Sequence, residues 1–243
     1  MKDSRQLMAD YDRLEATYWF FTARLHILRR VFARYIRPGS LIANIGCGPG
    51  STSQLAAGFG SVVSLDYSLE AMRYTRRRGL TACGCADAVK LPLRDDCCDS
   101  LLALDVMEHI EDDRAFADEL HRVISPGGTA ILTVPVGMWQ WTKRDKVMGH
   151  YRRYSKREFG RVVAGAGFSL EVMTHFNSLL LPLNALDVLV DKFRGKVDDE
   201  NCYPEFNPLL NAILHNIFRL EQFMVPWPGF PLGRSLLAVA RKT

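Results

Sequence analysis

No stretch of this 243-residue chain approaches the ~20 consecutive apolar residues that a membrane-crossing helix needs. Its opening, MKDSRQLMADYDRLEA, is charged throughout and lacks the apolar centre of a secretory leader, so a cytoplasmic location is expected. Internal repeats and low-complexity tracts are absent. The six cysteines (Cys47, Cys83, Cys85, Cys97, Cys98 and Cys202) stand as C-x-C and C-C neighbours, not as the C-x₂₋₄-C pairs of structural zinc. They read as small reduced hydrophobes, and no metal is expected. No G-x-x-x-x-G-K-[ST] occurs, which excludes the usual triphosphate cradle. Charge is balanced, at a net +4, and decides little about partners. With 48% hydrophobic and 24% charged residues, the composition is that of an ordinary globular protein able to bury one sizeable core.

What is present begins at residue 41. The apolar run Leu41 to Ile45 leads into Gly46, Gly48 and Gly50, then a small-residue segment, then Val62 to Leu65 ending on Asp66. This reads as strand, glycine-rich turn, helix, and a second strand closed by an acid. Glycines allow a tight turn and let backbone approach a ligand. An acid at the end of the next strand can accept from both hydroxyls of a ribose. The layout predicts a site for an adenosine-containing cofactor. A dinucleotide fingerprint would need G-x-G-x-x-G, whereas Gly46-Cys47-Gly48-Pro49-Gly50 is G-x-G-x-G with a proline that has no N–H to give.

The segment Ile45-Gly46-Cys47-Gly48-Pro49-Gly50 resembles motif I of class I S-adenosylmethionine (SAM) dependent methyltransferases, in particular a type 11-like family. Later segments follow the same order. Asp87-Ala88 after a third strand resembles the adenine site, and Leu104-Asp105 with Val106-Met107-Glu108-His109-Ile110 resembles the segment after strand four. A helix is expected over Glu111 to Val123, with acids in its first turn favouring the macrodipole, then strand five over Thr129 to Val134. The resemblance implies an α/β fold: a Rossmann-like, seven-stranded, mostly parallel sheet with helices on both faces and an antiparallel last strand. It implies SAM as cofactor, held by Asn44, Gly46, Cys47, Gly48, Gly50, Asp66, Tyr67, Asp87, Ala88, Leu104 and Asp105. Asn44 departs from the family, which has an acid there for the methionine ammonium. Its carbonyl oxygen can accept a hydrogen bond but brings no charge.

One domain over residues 1–243 is expected, with three elaborations. Residues 1–36 form a helical leader whose Tyr18-Trp19-Phe20-Phe21 packs on the sheet or covers the cofactor as a lid, with Arg24 near its carboxylate. Such Trp-Phe leaders occur in related bacterial methyltransferases. Residues 135–154 form an acceptor-side loop, leaving the carboxyl end of strand five where open α/β sheets bind ligands and entering a helix through the S-x-x-E box at Ser155. Residues 177–234 form a helical insertion before the last strand, with helices over Leu179 to Phe193 and Pro208 to Met224. It is a pocket wall, a dimer interface or an amphipathic surface for a lipid-linked acceptor.

Methyl transfer from a sulfonium chiefly needs positioning of the acceptor and a base near neutral pH, for which histidine is suited. His150 is the expected base, within Gly149-His150-Tyr151-Arg152-Arg153-Tyr154, similar to methyltransferases of cell-surface polysaccharide and secondary-metabolite genes. His109 is the second candidate. Trp139, Tyr151, Arg152 and Tyr154 are the expected acceptor contacts, Arg152 and Arg153 being suited to a carboxylate or phosphate. The expected reaction is methyl transfer to a hydroxyl of a small molecule or glycan, by a monomer or homodimer with no nucleic acid partner and at most peripheral membrane contact. A non-catalytic SAM- or partner-binding protein, motivated by Asn44, and RNA methylation are the alternatives. RNA methylation is disfavoured by the lack of an appended RNA-binding module and of a D/N-P-P-[YF] motif.

Overall fold

A computed structural model describes residues 4–193, 203–227 and 229–243. Two helices lead, α1 (Ser4–Thr17) and α2 (Trp19–Tyr35), before the first strand, β1 (Ser40–Ile45). Gly50 then opens α3 (Ser51–Ala56), followed by β2 (Gly60–Asp66), α4 (Leu69–Arg77), the short β3 (Cys83–Cys85) and β4 (Cys98–Leu104). A 3₁₀ turn at Met107–His109 leads into α5 (Asp113–Val123) and β5 (Ile124–Pro135). The helix starts two residues later than expected because Asp112 caps it, its carboxylate accepting from the Ala115 N–H at 3.0 Å.

The strands form one sheet in the order β3-β2-β1-β4-β5-β7-β6, where β6 is Phe168–Phe176 and β7 is Ser235–Lys242. Pairings among β1 to β5 are parallel, while β7 runs antiparallel to both β5 and β6. The expected sheet is therefore present. Strand order reverses between β1 and β4, which opens a crevice outside their carboxyl ends.

Side-chain alternation along the strands divides the core into two layers. Leu101 and Ala103 of β4 face Phe116 and Leu120 of α5 and Phe159 of α7 (Lys156–Gly165, following α6 at Lys143–Val147). Leu102 and Leu104 face the other way, with Ile27 and Val31 of α2. The 135–154 loop is more regular than its composition suggests, holding a 3₁₀ turn at Met138–Gln140 and α6.

The insertion before β7 contains α8 (Leu181–Phe193) and α9 (Pro208–Arg219), then a 3₁₀ turn at Leu220–Phe223. Asn207 caps α9 by accepting from the Leu210 N–H, and Pro208 fits its first turn, where no backbone donor is needed. Glu221 is fully buried and accepts the backbone N–H groups of Asn177, Ser178 and Leu179 at 2.7, 2.7 and 2.8 Å. One carboxylate thus ties the exit of β6 to the end of the insertion. Cys202 and the polar stretch 194–202 lie outside the described residues.

Candidate active site

The glycine turn is shaped by backbone that other residues would strain. Gly46 has φ +66°, and a Cβ there would sit 2.4 Å from a Val106 methyl carbon. Gly48 has φ +55°, yet a Cβ there would meet nothing within 4 Å. The first glycine is needed for packing against the β4 end; the second leaves open the space a ligand would fill. Asp66 supports the turn, Oδ2 accepting from the Gly48 N–H (2.9 Å) and Oδ1 from the Ser68 N–H (2.8 Å). Burial pushes its carboxyl up, opposed by those backbone bonds. A carboxylate has about four acceptor positions, so the two backbone bonds leave capacity for ribose hydroxyls.

A cavity of about 890 Å³ opens over this turn. That is near the upper end of ~300–1,000 Å³ typical of ligand sites, room for a nucleoside and a second molecule. Gly46, Cys47, Gly48, Asp66, Tyr67, Ala88, Leu104 and Asp105 line it, together with Arg24. The cradle and acid fit SAM. Burial pushes the Cys47 thiol up, which leaves it inert.

Three of the expected cofactor residues lie elsewhere. Asn44 is buried beneath α3, where its amide donates both N–H bonds, to Thr52 Oγ1 (2.9 Å) and Ser53 Oγ (2.8 Å). Strand alternation turns position 44 toward α3 rather than into the cleft. Gly50 faces Thr75 of α4, and exposed Asp87 accepts from the Val89 N–H at 3.0 Å in its own turn.

Arg24 reaches from α2 to the carboxyl ends of β4 and β5. Its guanidinium pairs with Asp105 Oδ2 (2.8 Å) and donates to Thr133 Oγ1 (2.7 Å), whose hydroxyl donates to Asp105 Oδ1 (2.9 Å). Asp105 is held at φ +59°, a strained conformation for a residue with a side chain. The Arg24 Nε, also buried, has no partner among the described residues. Above it the leader closes over the cleft through aromatic contacts. Tyr203, from the insertion, meets Tyr18 and Phe21 with ring centroids 5.3 and 5.6 Å apart.

At the other end of the cavity His150 is not alone. Its Nδ1–H donates to Asp145 Oδ1 (2.8 Å), and Arg153 donates to both Asp145 oxygens, at 2.8 and 3.1 Å. The Thr142 N–H adds a bond to Asp145 Oδ2 at 2.8 Å. Burial alone would push the Asp145 carboxyl up, but the bonds from His150 and Arg153 outweigh it and hold Asp145 well below the usual carboxylate range. Asp145 is therefore a buried anion that orients the imidazole and leaves Nε2 free of that bond.

The His109 ring packs edge-on against His150, centroids 4.6 Å apart. Burial, then the neighbouring His150, lowers its pKa to about 4, so it is neutral at physiological pH. Glu108 is fully buried beside them, its Oε2 without a partner among the described residues. Burial, then the Asp105 charge, pushes its carboxyl well up. Glu108, His109 and His150 offer ligand atoms within 4.8 Å of one another, a donor set able to hold a divalent cation. Cysteine spacing gave no hint of it.

Among the expected acceptor contacts only Tyr151 lines the cavity, half exposed at its rim. Arg152 is committed to Asp113 (2.7 Å) and the Glu111 carbonyl oxygen (2.6 Å). Tyr154 is buried, its hydroxyl donating to Asp113 at 2.9 Å, and Trp139 lies against Gly137 on the exposed surface. In G-H-x-R-R-Y, the second arginine faces the site and the first turns away. Asp145, Glu108, Tyr203, Asn177 and Asn184 line the cavity without having been singled out.

Residues 43–132 match the family described as "Methyltransferase domain". A Mycolicibacterium smegmatis protein named "Probable S-adenosylmethionine-dependent methyltransferase" is 29% identical over 163 residues, 65% of this chain and 62% of that protein. The human "Probable tRNA methyltransferase 9B" is 33% identical over 108 residues, 43% of this chain and 23% of its own length. This chain thus spans less than two thirds of the length of either relative. Among solved structures, a chain of the complex between the Haloferax volcanii Trm112 methyltransferase activator and a methyltransferase superposes with TM-score 0.66 at 17% identity, covering 100% of this chain and 98% of that one. Residues 43–132 thus match a methyltransferase domain, and with the glycine turn and the relatives they support a class I S-adenosylmethionine-dependent methyltransferase.

Proposed function

We propose that the protein methylates a hydroxyl of a small molecule or glycan, with SAM in the Gly46–Gly48 cradle and His150 as the base. The observation that carries this reading is the His150–Asp145 pair, bonded at 2.8 Å, in the same cavity as the glycine turn and Asp66. SAM, when bound, supplies an electrophilic methyl on a sulfonium that is already a good leaving group.

The residues of this chain do the rest. Gly48 gives the backbone room to approach, and Asp66 accepts from the ribose hydroxyls. Arg24, held by Asp105 and Thr133, closes the methionine end. His150 Nε2 takes the acceptor proton, and the imidazolium so formed is stabilised by the buried Asp145 anion. The leader and Tyr203 exclude water, which strengthens these interactions. Neutral His109 offers a hydrogen bond without charge, and burial opposes a charge on Glu108 beside it, which suits a polar, uncharged acceptor. The residues 1–36, 135–154 and 177–234 serve in this reading as lid, acceptor loop and pocket wall of one domain.

The test has two readouts. Asp66→Asn is expected to weaken SAM binding in calorimetry by about tenfold or more. His150→Ala is expected to abolish transfer while leaving that titration unchanged. Full turnover in His150→Ala with the true acceptor would reassign the base. The tRNA methyltransferase named above makes RNA the second acceptor class. Binding of RNA with a steep salt dependence, and transfer to it, would replace the small-molecule reading.

A further inference from the structure

From Ala16 through Leu65 the chain contains no aspartate or glutamate, and α9 contains none either. Arg29, Arg30, Arg34 and Arg37 are exposed within that stretch. Arg30, Arg34 and Arg37 fall at steps of four and three, one stripe of α2 continued past its end. Among the described residues none of these arginines has an ion-pair partner. The opposite face of α2, with Ile27 and Val31, is in the core.

Beside this cationic stripe lie exposed apolar side chains. α9 and the 3₁₀ turn after it pack against α2, and the Arg30 guanidinium lies over the Phe223 ring, 4.6 Å from its centroid. On α9 the buried side is Leu214 and Phe218, while Leu209 and Ile213 are exposed, as is Leu220 at the start of the 3₁₀ turn. Phe223 and Trp227 follow and are 60% and 78% exposed. So many large exposed apolar side chains on one helix and the turn after it point to an interaction site rather than ordinary scatter. Glu221, between Leu220 and Phe223, points inward to the β6 exit.

We propose that α2, α9 and the 223–227 turn form a docking surface for an anionic lipid bilayer. Trp and Phe side chains favour the membrane interface, leucines enter the acyl boundary, and arginine stems lie along apolar surface while their guanidinium groups reach lipid phosphates. No helix among the described residues is long and apolar enough to cross a membrane, so contact is from one side. A second copy meeting this face across a twofold axis would bring no acid from α2 or α9 to pair with the arginines. RNA would satisfy the arginines but leave the exposed leucines and isoleucine without apolar partners. α2 itself runs from the cavity, at Trp19 and Phe20, to this surface at Arg30 and Arg34. The surface does not depend on whether the cavity transfers a methyl group.

The test is co-sedimentation of the full chain with vesicles of phosphatidylcholine alone or of an equimolar mixture with phosphatidylglycerol. Binding to the mixed vesicles is expected to be at least about tenfold tighter and to weaken with salt. Phe223→Ser with Trp227→Ser, and separately Arg30→Glu with Arg34→Glu, should each weaken it about tenfold or more, with melting and SAM titration as in the parent protein. Equal binding to both vesicle types, or parent-like binding by both double variants, would overturn the proposal. So would a concentration-dependent dimer dissolved by the Phe223/Trp227 variant, or RNA binding lost in the Arg30/Arg34 variant, where neither protein sediments with vesicles.

Discussion

Asp145 Oδ1 lies 2.8 Å from His150 Nδ1 and 2.8 Å from Arg153 Nε. One carboxylate oxygen therefore orients an imidazole and is itself held ionised by a guanidinium, in a loop that packs into the cavity wall.

Asp145→Asn keeps the shape of that contact but removes its charge. Acceptor methylation is expected to fall by roughly a hundredfold or more, the range of a lost acid–base function. SAM affinity by calorimetry should be unchanged. Parent-like turnover in this variant would show that Asp145 only braces the loop.

Glu108 sets a pH dependence of stability with a definite sign. Burial and the Asp105 charge raise its folded pKa above the ordinary unfolded value of about 4.3. Between the two values the folded state binds the extra proton, so stability declines as pH rises through that window. Glu108→Gln removes this decline. Its melting temperature relative to the parent should increase as pH rises above that unfolded value, and a decrease would contradict the raised pKa of the buried carboxyl.

His109 acts in the opposite direction. Its folded pKa of about 4 lies below the ordinary histidine value. The unfolded chain then binds more protons between about 4 and 6.5, and stability is lost on acidification across that window. His109→Asn should flatten the loss measured by thermal melts. An unaltered acid profile would place the sensitivity in another group.

The two glycines of the turn separate folding from binding. Gly46→Ala would force a methyl onto Val106 and is expected to cost about 2–4 kcal/mol from overpacking and positive φ together. Gly48→Ala carries only the backbone term, about 1–2 kcal/mol, and should weaken SAM titration instead. Equal affinity in a folded Gly48→Ala protein would move the ligand away from this turn.

Asn44→Asp restores the acid of the resembling family at a position that faces α3. It replaces a donor to Thr52 and Ser53 with a buried charge, so a loss of about 1–3 kcal/mol is expected, with no gain in SAM affinity. Tighter SAM binding would mean that position 44 reaches the cofactor.

The turn, its flanking strands and Asp66 were legible because each depends on neighbours in sequence: apolar alternation, glycine spacing, an acid at a strand end. The mostly parallel seven-stranded sheet with an antiparallel last strand was legible only through the family resemblance that those signals carry. His150 was legible through its motif, but Asp145 was not, since a separation of five residues matches no helical or strand face. Arg152 and Arg153 could not be told apart in the chain. Arg153 turns toward Asp145 and Arg152 toward Asp113, according to which acid each local backbone presents. The expectation for Asn44 took the family position without the packing of α3 over it.

By itself the sequence determined where the backbone can bend through positive φ and which strand faces are apolar, because both are settled by nearest-neighbour sterics and by the period of two. Only the tertiary structure decided which charged groups share a cavity. Arg24 meets Asp105 and Glu221 meets Asn177 across loops of many tens of residues. Whether Glu108 is an acid or an anion depends on how completely the packed chain removes it from water, a quantity no local pattern contains.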